Sequence, residues 1–122
     1  VEALQSTEGG YNALKIYLQD SHPLPDAIVA VNDLAALGAL RVLREQGLKT
    51  PGDVAVTGCD DDQASGVLGL TTLHMPMIDL GRESAILLFE KLDKKRPPSS
   101  AVHRVLDLTL EVRSTSLVSA GP

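Results

Sequence analysis

Two clusters of polar side chains stand where chemistry could be done, and each follows a short apolar run. Asn32 and Asp33 come after Ala27-Ile28-Val29-Ala30-Val31; Asp60, Asp61 and Asp62 come after Val54-Ala55-Val56 and Thr57-Gly58-Cys59. A carboxylate accepts hydrogen bonds through two oxygens, and a carboxamide both donates and accepts, which together suit vicinal hydroxyls or the edge of a heterocycle. Each residue also has a purely structural use. Asp33 is accounted for by helix capping, its carboxylate accepting from the free backbone donors of the first turn, and the acidic triplet can form a solvated turn. For Asn32 and Asp60 both uses stand open, and their position adds weight that residue type does not, because open α/β sheets bind ligands outside the carboxyl ends of their strands.

Other chemistries fail on their missing parts. Asp60-Asp61-Asp62 has the Asp-x-Asp pattern of aspartate-nucleophile phosphatases, where one carboxylate attacks phosphorus and a second works as acid and base beside magnesium. Ala64 stands where that pattern has a β-branched residue, and no later strand end offers the lysine and paired acids. His22, His74 and His103 lie in separate segments with no second ligand at helical spacing, so no metal site is expected. Cys59 is the one cysteine, which excludes an internal disulfide and a cysteine-based metal site. With no histidine or asparagine motif beside it, it reads as a buried strand-end thiol. Gly58 opens no glycine-rich phosphate loop. Neither an enzyme nor a cofactor is expected.

The elements that must hold these residues follow from periodicity. Tyr11, Leu14, Tyr17 and Leu18 fall at helical spacing between Thr7 and Gln19; Gly9 and Gly10 blur the start, and Pro23 and Pro25 prevent continuation. Ala27 to Val31 has no polar face and predicts a parallel strand buried on both sides. A helix follows from Leu34 to Arg44, capped by Asp33 and stopped at Gly47 with Leu48 packing back. Val54-Ala55-Val56 is the next strand, so strand, helix and strand occupy roughly 30 residues, the size of a βαβ unit. Leu70 to Leu73 predicts a third strand and Asp79 to Leu92 a helix with Ala85, Leu88, Phe89 and Leu92 on one face. Lys94, Lys95 and Arg96 crowd its C-terminal end, and Pro97-Pro98-Ser99-Ser100 reads as a turn. Leu106, Leu108, Leu110 and Val112 then alternate with polar residues, the period of an edge strand with one wet face.

The 122 residues, 43% hydrophobic, suffice for one domain. Eleven basic against sixteen acidic side chains, net −5, exclude a freestanding nucleic-acid binder, which needs a positive patch against phosphates. No apolar run approaches the roughly 20 residues of a membrane span. Two tyrosines, one phenylalanine and no tryptophan leave a pocket built from this chain short of flat stacking surfaces. The start Val1-Glu2-Ala3 carries neither an initiator methionine nor a signal-peptide pattern, so the chain is expected to be processed or a piece of something longer.

Pro25-Asp26-Ala27-Ile28-Val29-Ala30-Val31-Asn32-Asp33-Leu34-Ala35-Ala36-Leu37-Gly38-Ala39-Leu40 closely resembles the lactose-repressor (LacI) family of bacterial transcription regulators. The likeness continues through Gly47 to Asp61, with Val54-Ala55-Val56-Thr57-Gly58-Cys59-Asp60-Asp61 within it. It resumes at Leu70-Thr71-Thr72-Leu73-His74-Met75-Pro76 and runs on through Gly81 to Leu92.

The resemblance implies an α/β fold: a partial periplasmic-binding-protein-like (Rossmann-like) parallel sheet with flanking helices, part of a two-lobed core. Residues 1–75 and about 102–122 would belong mainly to the C-terminal lobe, and about 76–100 to a crossover helix of the N-terminal lobe, with the DNA-binding headpiece absent. The chain is expected to be a truncation or remnant of a longer repressor, exposing apolar patches that associate. By the same resemblance Asn32 and Asp60 hydrogen-bond a small-molecule effector such as a sugar or nucleoside. Asp61 and Met75 also fall among the implied effector-binding positions: Asp61 is a neighbouring acidic position of variable role, and Met75 stands where a polar residue, often glutamine, is usual, close to the ligand and the hinge. Cys59 replaces an aromatic. Leu34, Leu37, Leu40 and Arg41 would lie on a homodimer interface. The implied protein is cytoplasmic, free of the membrane, and reaches operator DNA only through the absent headpiece. The alternative is the periplasmic sugar-binding protein of an ABC transporter, which shares the two-lobed architecture.

Overall fold

Ser6 begins the first helix by capping: its hydroxyl oxygen accepts from Gly9 N at 3.0 Å. In the computed structural model, which describes residues 5–20, 22–93 and 102–117, helix α1 spans Thr7–Gln19. It is followed by β1 Ala27–Val29, α2 Asp33–Glu45, β2 Ala55–Asp60, α3 Gln63–Leu68, β3 Thr71–His74, α4 Met77–Leu92 and β4 Thr109–Glu111. One sheet runs in the order β1-β2-β3-β4, the first three strands parallel and β4 antiparallel to β3. Two compact units divide the chain: 1–74 with 109–122, and 75–108.

The first unit is built on a close crossing of α1 and α2. Gly9 and Gly10, expected to blur the start of α1, lie inside it and are buried. A Cβ on Gly10 would come within 2.7 Å of Ala35 Cα, and one on Gly38 within 2.5 Å of Tyr11 N, so only hydrogen fits at either place. Beneath the crossing Leu14, Ala36, Ala39, Val42, Leu43, Val54, Val56 and Leu70 form the core, with Tyr11, Tyr17, Leu18, Ile28 and Leu40 packed on its margin. Helix α2 ends as its sequence requires: Gly47 takes φ 72° and Leu48 N donates back to Leu43 O at 2.9 Å.

Several expectations need correction. Strand β1 is not covered on both faces: it stands at one edge of the sheet among the described residues, and Val29 is 83% exposed. Strand β2 carries on to Asp60, and a short helix, α3, follows over Gln63–Leu68, where no element was expected. Helix α4 begins at Met77 after Pro76 and has no buried residue among those described; Leu88, Phe89 and Leu92 are all exposed. In this second unit Arg104 pairs with Glu83 and, at 3.5 Å, with Glu90. The alternating tail contributes only Thr109–Glu111 as strand, at the expected edge, but Leu110 and Val112 face outward while Glu111 and Arg113 are half-buried. Lys94, Lys95, Arg96 and the Pro97–Ser100 turn lie outside the described residues. Among those described, no helix is long and apolar enough to cross a membrane.

Candidate functional site

Parallel pairing of β1 and β2 sets Val29 opposite Thr57, and Ala30 N extends the ladder to Thr57 O at 2.9 Å. Asn32 and Asp60 each follow that matched pair by three residues. They therefore leave the sheet along one lip, at its carboxyl end, as the strand-end reading requires.

The helix cap is not Asp33 but Asn32. In extended conformation (φ −154°), its Oδ1 accepts from Ala35 N at 2.9 Å, while its Nδ2 donates to Gln5 O at a long 3.4 Å. With the oxygen engaged by the cap, the NH2 is what Asn32 has to offer a ligand.

Asp33, released from capping, turns inward and is 1% exposed. Its Oδ1 accepts from Thr72 Oγ1 at 2.6 Å, and its Oδ2 from Ser65 Oγ at 2.5 Å and Asp62 N at 3.1 Å. A buried carboxylate survives when hydrogen bonds replace water, and here three donors do so. The network joins the start of α2, the β2–α3 turn and β3. Gly58 is small for the same reason, since a Cβ there would lie 3.2 Å from Asp33 Cα and press on the carboxylate.

The acidic triplet divides into three roles. Asp62 caps α3, its Oδ1 accepting from Ala64 N at 2.8 Å and Ser65 N at 3.0 Å. Asp61 Oδ1 accepts from Arg113 Nη2 at 2.7 Å, and its Oδ2 meets His74 Nδ1 at 3.0 Å. The Arg113 hydrogen bond, with a smaller one from His74, holds the Asp61 carboxyl below the usual range. Asp60 is exposed, and among the described residues nothing hydrogen-bonds its carboxylate. Partial burial, then the charges of Asp33 and Asp62, push its carboxyl up.

Asp60 and Asp61 both hold positive φ, 128° and 58°. Such conformations cost of order 1–3 kcal/mol each and persist where the surroundings impose them, often at binding sites.

Met75 opens the second unit, half-buried, its carbonyl accepting from Met77 N at 2.8 Å. On α2, Leu34 is 43% exposed, Leu37 and Leu40 are half-buried, and Arg41 is exposed. Arg41 pairs with Glu45 at 2.9 Å and lies 4.9 Å over the Tyr11 ring. Cys59 is half-buried, and burial, then Asp60 and Asp33, push its thiol up, so it stays protonated at neutral pH. Among the described residues no His, Cys, Asp and Glu cluster could hold a metal. Residue-type reasoning missed Ser65, Thr72, His74 and Arg113, whose bonds to the Asp33 and Asp61 carboxylates span 13 to 52 residues and carry no local signal.

A mostly parallel sheet, helices against it and a polar lip at the strand ends define part of a binding-protein type of core. Comparison with known proteins agrees. The profile of the periplasmic binding protein-like domain matches residues 2–116. The HTH-type transcriptional repressor PurR of Pasteurella multocida is 34% identical over 90% of the chain. The crystal structure of the lac repressor dimer bound to operator and the anti-inducer ONPF superposes over 96% of the chain with a TM-score of 0.86 at 28% identity, covering 35% of that structure's chain. The transcriptional regulator CelR–cellobiose complex does so over 93% with a TM-score of 0.83 at 36% identity, covering 34% of the CelR chain.

The chain belongs to the periplasmic binding protein-like domain family, with the C-terminal effector-binding core of LacI-type regulators as its counterpart. It spans about a third of the length of the curated PurR relative. These relatives are transcriptional regulators, not enzymes, which favours the regulator reading over the transporter one.

Proposed function

We propose that this chain is the effector-binding and dimerisation portion of a LacI-type transcriptional repressor, working in the cytoplasm on operator DNA held by a separate headpiece. Asn32 and Asp60 contact a small polar effector, a sugar or nucleoside. Residues 1–75 and about 102–122 act as the C-terminal lobe, 76–100 contribute to the other lobe, and Met75 lies near the ligand at the crossover. Leu34, Leu37, Leu40 and Arg41 on α2 form the homodimer surface.

One observation carries this reading. Of the four aspartates at the strand ends, three are engaged within the protein, and among the described residues nothing engages the Asp60 carboxylate at the lip. An exposed carboxylate on the same lip as an amide NH2 matches a ligand that both donates and accepts, as adjacent hydroxyls do. The effector can shift DNA affinity only by its differential affinity for two states of the core. A repressor is therefore read here as a population switch.

Isothermal calorimetry with cellobiose, ribose and adenosine tests the assignment. Asp60→Ala should weaken binding of whichever compound binds by at least about tenfold, since a lost charged hydrogen bond is worth about 1.5–3 kcal/mol. Unchanged affinity in that variant overturns Asp60 as a ligand.

A further inference from the structure

We infer that Asp61 is a positioning residue, tying the effector lip to both strands through which the chain leaves and re-enters the first unit. This deepens the proposed function and rests on the lip being an effector site. Asp61 matches a position of variable role by resemblance, yet both its oxygens are occupied: Oδ1 by Arg113 at 2.7 Å and Oδ2 by His74 at 3.0 Å. His74 is the last residue of the first unit before the chain passes on at Met75, and Arg113 lies just beyond β4, on the segment that returns at Thr109. In the ladder His74 is opposite Asp60 on β2 and Thr109 on β4.

The clamp rests on a firm base. Arg113 Nη1 donates to Leu70 O at 2.9 Å, and Arg113 N donates to Thr71 Oγ1 at 2.8 Å. Asp61 is only 18% exposed and Arg113 23%, so the charged hydrogen bond is shielded more than a surface ion pair would be. Asp60 and Asp61 are consecutive and both held at positive φ. A ligand that reorients Asp60 must therefore disturb Asp61, and with it the two exits. Held by one protein partner on each oxygen, Asp61 links the lip to both exits.

Amide hydrogen exchange on the 15N-labelled 122-residue chain tests this without any effector. Asp61→Asn and Arg113→Lys should each speed exchange at Asp61, His74 and Arg113 by at least tenfold, leaving Ala36, Val42 and Leu43 in α2 unchanged. The double variant should add little beyond either single one, because both remove the same link. Uniform acceleration across α1 and α2, additive effects, or no change at the three amides would each overturn the inference. If Asp61→Asn fails to fold, Arg113→Lys, which keeps a positive charge, decides by the same local pattern. Failure of sugar or nucleoside binding at Asp60 would leave these rates as they are, so the two readings fall separately.

Discussion

Asp60 and Asp61 are neighbours in the chain, yet their surroundings pull their carboxyls in opposite directions. Burial, Asp33 and Asp62 raise Asp60, whereas Arg113 and His74 lower Asp61. As pH falls, carboxyl 13C NMR should show Asp60 taking its proton before Asp61 does. The linkage differs in sign as well. The Asp61 contribution to stability is present above the ordinary aspartate pKa and lost as pH falls through its lowered folded value; the charge on Asp60 opposes folding, and that penalty is relieved as pH falls through its raised one. Asp33→Asn removes a like charge that raises Asp60 and should bring it down, though burial keeps it above ordinary. A reversed order of titration would refute the geometry of the lip. The candidates Asn32 and Asp60 were legible because a strand end is a position, and positions can be read from hydropathy. The division of labour among the aspartates was not, because Arg113 is 52 residues from Asp61 and Thr72 is 39 from Asp33.

Helix α2 shows how one side chain serves both an element and a site. Asn32 caps α2 through its oxygen and presents its NH2 at the lip, and these roles can be separated. Asn32→Ser keeps a capping oxygen and should leave thermal stability within about 0.5 kcal/mol, while Asn32→Ala should cost about 0.5–2 kcal/mol. Both should weaken effector binding, because both delete the amide donors. If Asn32→Ser binds as well as the parent in calorimetry, Asn32 is only a cap. Gly38→Ala would normally strengthen a helix, yet its Cβ would strike the backbone of α1, so a loss of about 1–3 kcal/mol is expected in chemical denaturation. The βαβ unit of β1, α2 and β2 was readable from apolar runs and the glycine stop. Helix α3 was not, since six residues with one buried side chain leave no stripe to recognise. Nor could an apolar run say that β1 stands at an edge, because apolar residues need not be buried.

Across the whole molecule, apolar surface is distributed unevenly. A groove of about 570 Å³ beside β1 is lined by Leu14, Tyr17, Ile28, Ala35 and Ala39, and Val29 and Val31 border it. Val31 is 57% exposed and Val29 83%, so an apolar groove coincides with a strand edge that is unpaired among the described residues. Unblocked edges of this kind pair with other chains, and contiguous apolar surface favours association. Sedimentation velocity should therefore find the 122-residue chain associating as its concentration rises. Val29→Lys should reduce that association, because a lysine on an edge strand disfavours pairing, and because so exposed a valine contributes little buried area to lose on substitution. The melting temperature at low concentration should change by no more than a degree or two. A chain that stays monomeric at every concentration would remove the edge from consideration. A variant that melts several degrees lower would mean that Val29 is packed in solution, in conflict with the edge position of β1.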